Sequence, residues 1–137
     1  MIDYKLTFET YTKNLLGGRI LGLKCNKCSN YIHPPRMICP KCYSTDLNII
    51  EFNGTGEINT FTVVRVAPTW MEDIAPLIIA HIKLDEGGFI LGHLSDIEAD
   101  AASLDLIGKK VKMIGGREVK KDIISGVNGA IPIFQLL

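Results

Sequence analysis

Four cysteines stand as Cys25-x2-Cys28 and, ten residues later, Cys39-x2-Cys42. Each C-x2-C pair suits a tight turn with both sulfurs aimed at one ion. Two such turns facing each other supply the tetrahedral thiolate site that Zn2+ prefers. Four thiolates close the coordination sphere and leave no place for water, so the site reads as structural rather than catalytic. Zinc binding of this kind is worth about 10 to 16 kcal/mol in zinc-finger peptides, enough to fold a segment too small for its own core. Iron in a rubredoxin-like site would use the same ligands. A redox C-x-x-C pair is the weaker alternative, because no thioredoxin-like alternation of strands and helices follows. Arg19, Lys24, Lys27, Arg36 and Lys41 lie between residues 19 and 42 with no acid among them, and they would offset the dianionic metal cluster. Ile20, Leu23, Tyr31 and Ile32 are placed to form ribbon strands. His33 is expected at the surface, leading into Pro34-Pro35.

The whole chain has 137 residues, 47% hydrophobic and 22% charged, which excludes wholesale disorder and suits one compact domain or a small module attached to one. Its formal net charge is zero, lacking the basic surplus of a protein that grips nucleic acid by bulk electrostatics. That zero is a sum of unlike segments. Residues 1–68 carry a net +3, residues 69–106 a net -7 and residues 107–137 a net +4, so faces of opposite sign are available to different partners. Acidic Asp3 and Glu9 stand where an export signal would be basic and then apolar. The longest apolar stretch, residues 74–80, is seven residues and includes Pro76, so a cytoplasmic protein is expected.

The patterning is mainly β. Tyr4, Phe8, Tyr11 and Leu15 form a helical stripe ending at Gly17-Gly18. After Phe52 and a turn at Gly54-Thr55-Gly56 the period becomes two, giving a long first strand through residues 58–66. A loop with Pro68, Trp70 and Pro76 leads to strands over 77–84 and 89–94, joined by the hairpin turn Asp85-Glu86-Gly87-Gly88. A short helix is expected over 97–106, and two last strands around 111–114 and 131–134 flank a Gly-rich turn at 125–129. Three strands, a helix and two strands is the order of a five-stranded OB-fold barrel. The expected division is an N-terminal helix over 1–18, a zinc ribbon over 19–47 and the barrel over 48–137.

Gly17-Gly18-Arg19-Ile20, the two cysteine pairs, Pro34-Pro35-Arg36, Gly54-Thr55-Gly56-Glu57-Ile58, Phe61-Thr62-Val63-Val64 and Leu84-Asp85-Glu86-Gly87 occur in order. That series resembles the DUF35 family, in which an N-terminal helix and a rubredoxin-like zinc ribbon precede an OB-fold domain. Family members often have glycine directly after the second cysteine, where this chain has Ser29. The resemblance implies a non-catalytic subunit beside thiolase-fold enzymes. It would bridge acetoacetyl-CoA thiolase and 3-hydroxy-3-methylglutaryl-CoA (HMG-CoA) synthase at the entry to the mevalonate pathway and help hold CoA. The other readings are an accessory acyl-CoA-binding subunit of another thiolase, aldolase or hydratase, and a module for single-stranded nucleic acid, with Phe52, Phe61, Trp70 and Phe89 as stacking candidates.

His33, His81 and His93 lie in no nucleophile motif, and the two strand histidines are expected half-buried. For CoA or a partner, Arg19, Arg36, Lys41 and Trp70 are the candidate contacts, cations for phosphate and a ring for the apolar parts. The group Lys109, Lys110, Lys112, Arg117, Lys120 and Lys121 is the competing basic surface.

Overall fold

The computed structural model describes residues 6–67, 69–119 and 129–137. Tyr4, Pro68, Lys120, Lys121 and the expected turn at 125–128 lie outside the described residues. The elements run α1 (Phe8–Leu16), β1 (Ile20–Cys25), β2 (Tyr31–Ile32), β3 (Leu47–Phe52), β4 (Thr55–Val64), β5 (Leu77–Leu84), β6 (Phe89–Leu94), β7 (Lys110–Val119) and β8 (Gly129–Leu136). The first three strands form an antiparallel sheet in the order β2-β1-β3, and the other five close a barrel in the order β4-β5-β6-β8-β7.

Helix α1 starts at Thr7, whose hydroxyl accepts from the Thr10 amide at 3.2 Å, a capping bond for an N–H the helix leaves free. Its C-terminal turn lies on β7, where a Cβ at Gly116 would sit 2.5 Å from the Leu15 carbonyl oxygen. Only part of the expected stripe faces inward. Leu15 is buried and Tyr11 packs against the core, but Phe8 is 56% exposed, and Thr12 takes the other buried place.

The barrel core is built from alternate residues of every strand. Ile58, Ile78, Ile82, Leu84, Val111 and Phe134 are all nearly inaccessible. Leu15, Ile20 and Phe52 join the same cluster, so helix and ribbon sheet share one core with the barrel. Gly92 admits the Phe134 ring, since a Cβ there would meet Cδ2 at 2.5 Å.

Closure between β6 and β8 is parallel and short: only His93 with Ile133 and Leu94 with Phe134 are paired. Pro132 has no N–H with which to carry the ladder back toward the start of β6. From Phe89 to Gly92 the barrel therefore has a seam without ladder bonds, where the Phe89 amide turns instead to the His33 carbonyl at 3.3 Å.

Three expectations change. Residues 97–106 form no α-helix but two 3-10 turns, Ala99–Ala101 and Leu104–Leu106, with Ala102 and Ser103 extended between them. Tertiary bonds pin the segment locally: Asp96 Oδ2 accepts from the Leu136 amide at 3.1 Å and Asp100 pairs with Arg65 at 2.8 Å. The second change is β3, an added ribbon strand paired with β1 along its whole length. The first barrel strand also starts earlier than expected, at Thr55 rather than residue 58.

Candidate metal centre and junction groove

The two cysteine turns are copies of one another. Ser29 N–H donates to the Cys25 carbonyl at 2.9 Å and Tyr43 N–H to that of Cys39 at 2.8 Å. Cys25 N–H bonds Asn30 O and Cys39 N–H bonds Ser44 O, both at 2.9 Å. In each turn the residue after the second cysteine is left-handed, Ser29 at φ 64° and Tyr43 at φ 63°. The glycine often found at the first of these positions is thus explained: only glycine adopts that conformation without strain.

All four sulfurs lie within 4.8 Å of one another. Cys25–Cys42 and Cys28–Cys39 are 3.5 and 3.6 Å apart, much longer than the roughly 2.05 Å of a disulfide. They are close to the separation of about 3.8 Å between sulfurs placed tetrahedrally at about 2.3 Å from zinc. The donor set fits a structural zinc. Without a metal, Cys25, Cys28 and Cys39 do not ionise together. Backbone N–H groups, first that of Cys28, lower the Cys25 thiol against its burial. Burial of Cys39 opposes ionisation, but the N–H groups of Cys42 and Lys41 overcome it and bring that thiol to about 6. At Cys28 the Asn30 N–H favours the thiolate, but burial and the other three thiols prevail and push it up to about 12. Metal uptake therefore displaces protons.

The ribbon cations divide into groups. Arg19 is engaged by Glu51, with Nε to Oε1 at 2.7 Å and Nη2 to Oε2 at 3.3 Å, and Lys24 lies 5.3 Å from the Tyr31 ring centre. Lys27, Arg36 and Lys41 are exposed with no ion pair among the described residues. Trp70 lies in a 3-10 turn, Thr69–Ile74, and its side chain is outside the described residues. The three grooves described on the barrel are lined by none of Arg19, Arg36 and Lys41.

His33 is not a surface residue; it is 6% exposed and ties three parts of the chain together. The Phe89 carbonyl can only accept, so His33 Nδ1 carries the proton and donates to it at 2.7 Å. Nε2 then accepts from the Tyr11 hydroxyl, also at 2.7 Å. Ribbon, helix and β6 thus meet at one imidazole. Local sequence gives no sign of this, because both partners lie far along the chain.

Around this junction, where the seam leaves β6 uncovered, runs a mainly apolar groove of about 390 Å3 lined by Tyr11, His33, Pro34, Phe89, Leu91 and Pro132 among others. His81 and Phe89 stack at its rim with ring centres 4.6 Å apart. Phe52 is buried and Phe61 packs against the core. Of the expected stacking residues with described side chains, only Phe89 is thus displayed, and the strand turn beside it, residues 85–88, is acidic.

Burial lowers the His33 imidazole below its ordinary range, more than the Phe89 carbonyl raises it. The unfolded chain therefore takes up this proton first, near 6.5. Stability is full above that pH and declines as pH falls toward the folded value, by at most about 1.4 kcal/mol per pH unit for one group. His93 is lowered too, by burial and then by Arg117. The zinc-saturated His33→Gln variant is expected to be about 1 to 3 kcal/mol less stable at pH 8, with a shallower loss than the parent between pH 7 and 5.5. Urea unfolding across that range measures both, and an unchanged slope would exclude His33 as a source of the pH dependence.

Comparison with known proteins places these parts. Residues 17–48 match the family described as "ChsH2, rubredoxin-like zinc ribbon domain", and residues 50–115 match "ChsH2, C-terminal OB-fold domain". A DUF35 domain-containing scaffold protein of Methanocaldococcus jannaschii is 37% identical over 79% of this chain and 74% of its own. A probable enoyl-CoA hydratase alpha subunit of Thermomonospora curvata is 28% identical over 64% of this chain, but over only 27% of its own. Among solved structures, a chain of the Ltp2-ChsH2(DUF35) aldolase superposes with a TM-score of 0.69 and 25% identity, over 93% of this chain and 92% of that one. Among the described residues no helix is long and apolar enough to cross a membrane.

Proposed function

The chain belongs to the DUF35 family of paired zinc-ribbon and OB-fold domains, and from that premise we propose that it is a non-catalytic scaffold subunit of an acyl-CoA-processing assembly. Cys25, Cys28, Cys39 and Cys42 hold a structural zinc, which folds the ribbon against helix and barrel. The observation that carries this reading is the 37% identity to a protein named as a scaffold, spread over most of both chains. The aldolase likeness supports an enzyme partner, and the acyl-CoA part of the proposal draws on the relative named as an enoyl-CoA hydratase subunit.

The partners we propose are acetoacetyl-CoA thiolase and HMG-CoA synthase, on the resemblance described above. Thiolase condensation runs uphill, so holding its product beside the enzyme that consumes it is a physical purpose for a bridge. A bridge contributes effective concentration, not bond-making chemistry. Among the candidate contacts, Arg36 and Lys41 have no ion pair among the described residues and are proposed to meet a CoA phosphate or a partner carboxylate, whereas Arg19 is taken by Glu51.

Mixing the zinc-loaded chain with both purified enzymes is expected to give one three-component species by size-exclusion chromatography with mass measurement. Formation of that species without this chain would sink the bridging role. A second reading, an accessory subunit of an aldolase or hydratase, is favoured by the same two likenesses; pull-down against enzymes of those classes separates it from the first.

A further inference from the structure

The two cysteine turns are equivalent in backbone, yet their outward faces differ. The first presents Asn26, Lys27 and Ser29, while half-buried Asn30 turns its amide to the Cys39 sulfur. The second is apolar and projecting: Tyr43 is 78% exposed, Ile38 45% and Met37 37%. Tyr43 holds its left-handed conformation at φ 63° although its ring contributes little to any core. The cysteine turn imposes this conformation, as it does at Ser29, so a bulky residue stands where glycine would carry no strain. Arg36 and Lys41, also exposed, adjoin these residues in the sequence, and neither has an ion pair among the described residues.

We infer that the second cysteine turn is a docking tip. Tyr43 anchors in an apolar pocket of a partner protein, and carboxylates on the pocket's rim meet Arg36 and Lys41. Tyrosine and arginine are residues enriched in interface hot spots, and the absence of any acid between residues 19 and 42 leaves the complementary charge to the partner. Met37 and Ile38 add aliphatic area that fits a protein surface and does not stack on bases. This inference rests on the scaffold reading and names the surface that reading uses.

Strain and docking separate in one experiment. Tyr43→Gly removes the ring and relaxes the backbone, while Ser29→Gly relaxes the equivalent position and leaves the tip intact. Full-length zinc-loaded chains are titrated by calorimetry against purified acetoacetyl-CoA thiolase and HMG-CoA synthase, and their Tm values are measured in parallel. The expected result is affinity for one enzyme lowered about 30-fold by Tyr43→Gly, unchanged by Ser29→Gly, with neither variant lower in Tm. Full affinity in Tyr43→Gly would overturn the docking tip and leave the scaffold reading standing. Equal losses in both variants would assign the effect to turn rigidity and overturn it as well. If the parent chain binds neither enzyme, the scaffold reading for this pair falls and the inference with it. Binding of single-stranded oligothymidine that Tyr43→Gly abolishes would replace the protein partner with nucleic acid.

Discussion

Stripping zinc from the folded chain is expected to melt the cysteine end of the β1–β3 sheet and spare the barrel. The ribbon's own cluster consists of Leu23, Cys25, Ile32, Cys39 and Leu47, so two of its five members are metal ligands and the remaining aliphatic area is too small to hold a sheet. Zinc supplies about 10 to 16 kcal/mol in comparable peptides, as much as the whole net stability of a typical domain. Chelation, or Cys39→Ser, should abolish hydrogen-exchange protection at Leu23, Lys24 and Ile32 and leave it at Ile58, Ile82 and Val111. The effect reaches beyond the metal. A melted ribbon withdraws His33 from Tyr11 and Phe89, so the groove loses one wall. Ribbon amides that stay protected after complete metal removal would show that packing, not zinc, holds the sheet.

Phe134→Ala is expected to be the costliest change in the barrel. The ring is fully buried, lies against Gly92 where no side chain fits, and belongs to the strand that completes the barrel. Losing it deletes aromatic contact and leaves a cavity whose glycine wall has no side chain to fill it, a loss of about 3 to 5 kcal/mol. Urea unfolding measures this, with Leu104→Ala, at a site 79% exposed, as a control expected within about 0.5 kcal/mol of the parent. A Phe134→Ala loss under about 1.5 kcal/mol would mean that the seam beside Pro132 relaxes far more than the pairing implies.

The parts legible in the sequence are those written in local pattern. Cysteine spacing announced the metal site because coordination geometry demands it, and the hairpin Leu77–Leu84, Asp85–Gly88, Phe89–Leu94 was legible because alternation and glycines coincide there. Strand β3 was obscure: Asn48, Ile49 and Glu51 are exposed, so its alternation carries little signal, and its pairing with β1 is a long-range fact. Residues 97–106 carry a helical composition that tertiary bonds from Asp96 and Asp100 override. His33 was misplaced at the surface for the same reason: its partners are 22 and 56 residues away. The left-handed serine after Cys28 was the one family departure that pointed directly at a backbone feature.

Forty residues separate Leu94 from its parallel partner Phe134. At synthesis rates of about 5–20 residues per second, some 2 to 8 s pass between completion of β6 and arrival of β8. During that time Ile90 and Leu94 have no Phe134 to pack against, and the β6 edge is an unpaired apolar template. In that interval the nascent chain exposes the edge that β8 later covers at His93 and Leu94, and an unpaired apolar edge of this kind is where association with other chains begins.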